Sequence, residues 1–257
     1  MDKKIYTEEM AKSIWDKAFF MDKVIDTKCV VDFGCADGAM IRFLAPLFSS
    51  ITFIGYDIDE ELIEKGKEEN EHSNVIFFNG NELDNLIEYV NSNFSSDEIC
   101  LNFSCVLHEI FSSHKEGIST IYKLENELKP QYITIRDMYF DYNSNVFPLN
   151  DTFPGIEKFD AEKITDFERK HGSLTNYKNA LHFLMKYQWK DNGWEQELEE
   201  DYFALDLSVL PLENYRDIFS TNYVLPYLQN KWKKEYDITK FYGTTHTQRI
   251  YERENDI

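Results

Sequence analysis

In the stretch "VVDFGCADGA" an acid, Asp32, ends an apolar run, and two glycines, Gly34 and Gly38, flank the loop that follows. A glycine at such a turn adopts backbone conformations closed to other residues and lets a ligand approach the main chain without meeting a Cβ. A second acid, Asp57 in "IGYDID", ends the next apolar run, where a carboxylate can accept hydrogen bonds from both hydroxyls of a ribose. These features describe a nucleoside pocket at one edge of a sheet. Farther along, "VLHEIFSSH" offers His108 and Glu109 just after a fourth apolar run, and "ITIRDM" offers Arg136 and Asp137 at the end of a fifth. A histidine there has the pKa range for proton transfer near neutrality.

Spacing and composition exclude several chemistries. The zincin pattern H-E-x-x-H sets two histidines one helical turn apart, whereas His108 and His114 are six residues apart and point to different faces. Cys29, Cys35, Cys100 and Cys105 form no C-x-x-C pair and lie in or beside strand-like runs, which predicts buried, reduced thiols. No metal site is expected. The formal charge of −20 repels phosphate backbones and disfavours nucleic acid as a partner. The one local exception is "NKWKKEY", where Lys mixes with Trp and Tyr, although most such runs are solvated surface. No apolar stretch approaches membrane-spanning length and nothing at the N-terminus resembles a signal peptide, so a cytoplasmic protein without a membrane partner is expected.

The elements that must position these residues follow from periodicity. At 257 residues and 42% hydrophobic content, the chain can bury one large core or a core plus an appended lobe. Runs rich in Val, Ile, Phe and Tyr recur near 29–34, 51–58, 74–80, 98–104 and 131–138, with amphipathic helical stretches between them. Such alternation implies a parallel sheet covered by helices on both faces. A helix starting at a Thr7 cap is expected ahead of the first strand. From about Asn145 to Lys240 aromatics are dense and helix-like segments predominate, which reads as an insertion. The closing "EYDITKFYGTTHTQRIYER" reads as two short strands joined at a Gly-containing turn. The expected fold is therefore α/β: a doubly wound, mostly parallel, seven-stranded sheet with a C-terminal antiparallel hairpin and a helical insertion. Residues 1–145 and 235–257 would form the core, and 146–234 the insertion.

A dinucleotide site would need G-x-G-x-x-G, which "GCADGA" does not supply. The loop resembles motif I of the class I S-adenosylmethionine (SAM)-dependent methyltransferases, D-x-G-x-G-x-G, matched at Asp32, Gly34 and Gly38 with Ala36 in place of the middle glycine. "FIGYDIDEELIEKG" resembles the family's second motif, with Asp57 as the ribose acid and Asp59 left to cap the helix. "NGNELD" stands where the family places an acid or amide near the adenine, here Asn81, which could equally be a helix cap. "LNFSCVLHEI" looks like motif IV, and "THTQRIYER" is similar to the final antiparallel strand.

The resemblance implies a SAM site formed by Asp32, Gly34, Cys35, Ala36, Gly38, Asp57, Ile58, Asn81 and Ser104. Methyl transfer is an in-line displacement, so the enzyme mainly aligns the nucleophile and removes its proton where it carries one. His108, Glu109 and Asp137 are the candidates for that work; the plainer readings are that His108 only hydrogen-bonds in the wall and that Glu109 or Asp137 orients helices or pairs with Arg136. A small-molecule acceptor is favoured. An RNA or nucleotide methyltransferase and a non-catalytic SAM-binding regulator are the alternatives. The insertion is expected to lie over the carboxyl ends of the strands as a lid, facing His108 and Asp137.

Overall fold

The computed structural model describes residues 12–142 and 156–254. A short helix α1 (Ile14–Lys17) precedes the first βα units: β1 (Cys29–Phe33), α2 (Ala39–Leu44), β2 (Thr52–Asp57), α3 (Glu60–Glu69), β3 (Val75–Asn79) and α4 (Leu83–Asn93). There follow β4 (Ile99–Ser104), α5 (Leu107–Ser112), α6 (Glu116–Leu128) and β5 (Tyr132–Met138). Helices α7 (Ala161–His171), α8 (Tyr177–Tyr187) and α9 (Trp194–Glu199) come next. The chain then forms β6 (Tyr215–Tyr223), α10 (Pro226–Tyr236) and β7 (His246–Arg253).

Burial explains why the central strands read so clearly. Every residue of β1 and β4 is buried, as expected for parallel strands covered by helices on both faces. The sheet runs β3-β2-β1-β4-β5-β7-β6. β1, β2, β3, β4 and β5 run parallel to one another, while β7 runs antiparallel to both β5 and β6. The strand order reverses between β1 and β4, and in an open sheet of this kind ligands bind at the carboxyl edge of that reversal. One face packs Val31, Leu101 and Ile133 against Leu86, Ile121 and Leu124; the other packs Val30, Phe53 and Cys100 against Phe20, Ile41 and Ile63. A third cluster, with Phe167, Phe183, Trp194 and Trp232, forms the interior of the helical region. The four cysteines are buried and free.

Three expectations need correction. The second strand of the terminal pair is not in "EYDITKFY": β7 pairs instead with β6, from the stretch read as helical, and α10 lies between them. β6 is the sheet's last strand, and exposed residues such as Arg216, Asp217 and Ile218 leave it without the apolar run that marks a buried strand. Second, the N-terminal helix is short within the described residues, since the chain turns after Lys17 to bury Phe20 and Val24 beneath the sheet; the Thr7 cap lies outside them. Third, the Trp of "NKWKKEY" is not a stacking platform: Trp232 is buried and packs against Phe241, and Tyr236 lies 4.5 Å from the Phe159 ring.

Candidate functional site

A cavity of about 430 Å³ opens at the carboxyl ends of β1, β2 and β4. At one end it is lined by Asp32, Gly34, Cys35, Ala36, Asp57, Ile58 and Ser104, so seven of the nine residues expected at the cofactor share one wall. The loop after β1 reaches this position through a run of left-handed backbone: Gly34, Ala36 and Gly38 have φ of 76°, 52° and 71°. A Cβ on Gly34 would lie 2.4 Å from Val106, and one on Gly38 2.3 Å from the Phe77 ring. Both glycines thus serve the close packing of the loop on its own protein as well as its turn, and Gly38 does not line the cavity.

Asp57 ties that loop to β2. Its Oδ2 accepts from Ala36 N at 2.8 Å and its Oδ1 from Asp59 N at 2.9 Å. Burial raises its pKa against these hydrogen bonds. Asp59, as expected, caps α3 by accepting from Glu61 N and Leu62 N at 3.0 and 3.1 Å. Asp32 is held from the neighbouring strand: Asn102 Nδ2 donates to it at 2.7 Å, and Thr134 Oγ1 donates to Asn102 Oδ1 at 2.8 Å. Burial pushes Asp32 up to about 7 despite the Asn102 bond. Asn81 lies outside the lining, exposed, with its amide donating to Glu60 at 2.7 Å; the local cap is Asn79, which accepts from Asn81 N at 2.9 Å.

The donor set fits SAM. Asp57 stands at the end of β2 facing the cavity, while Ser104 Oγ is buried in the same wall with no hydrogen-bond partner among the described residues. Lys17 of α1 also lines the cavity, and burial lowers its pKa. Lys17, Asn102 and Glu200 were not anticipated from the sequence, because nothing local distinguishes them from an ordinary helix lysine, a strand asparagine and a surface acid.

The other end of the cavity is acidic. Glu109 from α5, Glu197 from α9 and Glu200 just beyond α9 line it, together with Gln196, His114 and Glu116. His108 and Asp137 are brought together directly behind Glu109. His108 Nδ1 donates to Asp137 Oδ1 at 2.6 Å; Asp137 also accepts from Leu107 N and Met138 N, both at 2.7 Å, and from His108 N at 3.3 Å. Asp137 is fully buried, so it fixes the start of α5 and the imidazole plane from within the protein. Arg136 does not pair with it. Alternate residues of a strand face opposite ways, and Arg136 Nε donates to Asp16 of α1 at 2.7 Å.

Electrostatics at this end follow from burial and crowding. Burial works against charge on His108, but the Asp137 carboxylate, reinforced by Glu109, outweighs it and raises the imidazole to about 10. Burial raises Glu109 to about 7 against the pull of His108. Burial and the neighbouring Glu197 raise Glu200 to about 7. The buried ammonium of Lys186 donates to Glu197 O and lies 3.7 Å from the Tyr202 ring centroid, while Tyr202 Oη donates to the Glu197 carboxylate. The helical region therefore brings its own charged residues to the sheet's edge.

No family model matches the chain, and no curated protein matches its sequence. Solved structures do. A SAM-dependent methyltransferase from Anabaena variabilis ATCC 29413 matches with a TM-score of 0.53 at 13% identity, covering 94% of this chain and 83% of that one. TnmH matches with a TM-score of 0.50 at 12% identity, over 97% of this chain and 57% of its own. Identities this low speak to architecture. With its parallel strands, its antiparallel β5-β7-β6 edge and its cavity at the strand-order reversal, the chain has the fold of the class I SAM-dependent methyltransferases.

Proposed function

We propose that this chain transfers the methyl group of SAM to a small-molecule acceptor. One observation carries the reading: a single cavity joins the Asp57 and Ser104 wall to the Glu109, Glu197 and Glu200 wall, so donor and acceptor would meet without solvent between them. Bound there, SAM supplies a methyl group activated by its sulfonium. Asp57 would hold the ribose hydroxyls, the loop from Gly34 to Ala36 would hold the nucleoside, and Lys17 would offer its charge to the amino-acid carboxylate. Asp32 and the other acids suit the cationic remainder of the cofactor. In this reading Glu109 faces the acceptor, while His108 and Asp137 are positioning residues that hold α5. The helical region reaches the acceptor end through α9 and Glu200 just beyond it.

A small acceptor is favoured over a polymer by the cavity's charge, since Lys17 is the only lysine or arginine among its described lining residues and acids face it on most sides. The test is calorimetry with SAM and S-adenosylhomocysteine, followed by transfer of isotope-labelled methyl groups into metabolite and RNA pools. Binding of SAM with label entering small molecules is expected. Absence of SAM binding by the folded chain would end the reading, and label confined to RNA would replace the acceptor class. A cytoplasmic site of action fits the supply of SAM. Among the described residues no helix is long and apolar enough to cross a membrane.

A further inference from the structure

We propose that His108, Glu109 and Glu200 form a binding site for a divalent first-row transition-metal ion at the acceptor end of the cavity. Each of the three offers one ligand atom within 4.8 Å of the others. His108 is the telling member. It is only 2% exposed, and its Nδ1 is committed to Asp137, which is itself locked by the backbone N–H groups of Leu107, His108 and Met138. The Nε2 atom is therefore turned toward Glu109, 4.0 Å from its Oε1, beyond hydrogen-bond distance. A carboxylate that fixes one imidazole nitrogen so that the other can ligate is the usual outer support of a metal-bound histidine.

The two carboxylates are equally uncommitted. Apart from the approach of His108, neither the Glu109 nor the Glu200 carboxylate has a hydrogen-bond or ion-pair partner among the described residues. The buried ammonium of Lys186 donates to Glu197 O and lies over the Tyr202 ring, reaching Glu200 only through its field, and the Glu197 carboxylate accepts from Tyr202 Oη. Two free carboxylates and an open imidazole nitrogen thus converge from two parts of the chain, α5 on the sheet side and the end of α9 on the helical side.

One nitrogen and two oxygens suit Mn²⁺, Fe²⁺ or Zn²⁺ better than Mg²⁺, which prefers oxygen alone. Three protein ligands leave positions open toward the cavity. On the methyltransferase reading, on which this last step rests, those positions take an oxygen of the acceptor, which makes the acceptor class a hydroxyl- or carboxylate-bearing small molecule.

The test is a titration of the metal-stripped full chain with Mn²⁺ at moderate salt, read by electron paramagnetic resonance, with circular dichroism to verify folding. One bound Mn²⁺ per chain is expected, with an electron–nuclear coupling to a histidine nitrogen. Glu109→Gln and Glu200→Gln should each weaken binding roughly 10- to 100-fold. Affinity unchanged in the folded double variant would place the ion elsewhere on this acidic protein and overturn the site, as would bound Mn²⁺ without nitrogen coupling. Failure to bind Mn²⁺ alongside binding of methylammonium that Glu200→Gln abolishes would make the cluster an amine pocket instead. SAM calorimetry on the same samples separates the two readings: Mn²⁺ binding without SAM binding upholds the metal site and sinks the methyltransferase reading, and SAM binding without Mn²⁺ does the reverse.

Discussion

Asp57 has two tasks, holding the loop through Ala36 N and facing the cavity, and burial, which raises its pKa, is opposed by the backbone hydrogen bonds it accepts. Asp57→Ala should therefore weaken SAM binding by about 1 to 3 kcal/mol, the usual cost of leaving buried hydrogen-bonding groups without their partner. Asp57→Asn keeps one acceptor oxygen and should lose less. Calorimetry on folded protein decides it: unchanged affinity in the alanine variant would remove Asp57 from the site. Glu200 supports a prediction about stability. Its folded pKa of about 7 lies above the ordinary carboxylate value, so the native state binds its proton more tightly than the unfolded chain, and the group destabilises the fold increasingly as pH rises from about 4.5 to 7. Glu197 adds to the effect, while His108, Lys186 and His114 reduce it. In EDTA, Glu200→Gln should raise the melting temperature at pH 8 by a few degrees, since about 1 kcal/mol moves it roughly 2 to 4 °C in a chain this size, and change it little at pH 5. Equal shifts at both pH values would show that ionisation of Glu200 is not the cause.

At the scale of elements, α1 is more than a preface to the sheet. Asp16 accepts from Arg136 Nε at 2.7 Å, from Tyr223 Oη at 2.8 Å and from Gln248 Nε2 at 3.2 Å, so one carboxylate joins the helix to β5, β6 and β7. Arg136 is 1% exposed and its Nη1 donates to Cys105 Sγ, which leaves Asp16 as its only ion-pair partner among the described residues. Asp16→Ala should cost about 3 to 5 kcal/mol in urea unfolding, as expected when a buried charge loses its counterion. Because Lys17 follows directly, SAM affinity should fall with it. A loss under 1 kcal/mol would mean that water replaces the carboxylate. The same scale shows which readings reached the right residues. Asp59 was legible as a cap because an acid just ahead of an amphipathic run has few other uses, whereas Asn79 and Asn81 both precede such a run, and only the backbone decides that Asn79 caps it.

The whole molecule has two sheet-face cores and a separate helical one, with the cavity where the sheet's edge meets α9. Phe183 is fully buried in the helical core, with ring contacts to Phe159, Phe167 and Trp194. Phe183→Ala should destabilise by about 3 to 5 kcal/mol. Hydrogen exchange should then speed up in α7 to α9 well before β1 and β4, while SAM affinity of the folded protein stays near that of the parent. Uniform loss of protection across both regions would show that the chain unfolds as one unit and that the helical region is not a separable cover.

What the sequence by itself determined is what depends on neighbours along the chain. The five parallel strands announce themselves by their apolar runs, most plainly β1 and β4, where burial on both faces demands that the run be uninterrupted; the Asp32 to Gly38 loop does so because a sharp turn tolerates few residue types. Burial of the four cysteines was legible for the same reason. Only the tertiary structure decided the rest. β6 lies at the sheet's margin, where one exposed face removes the hydrophobic signal, so its pairing with β7 rests on inter-strand hydrogen bonds that no local pattern encodes. The convergence of Glu109 with Glu200, and of Lys17 with Asp32, joins residues far apart in the chain. Each is an ordinary charged side chain until folding buries them together, and only in the lower dielectric of the cavity wall do their charges interact strongly enough to define a site.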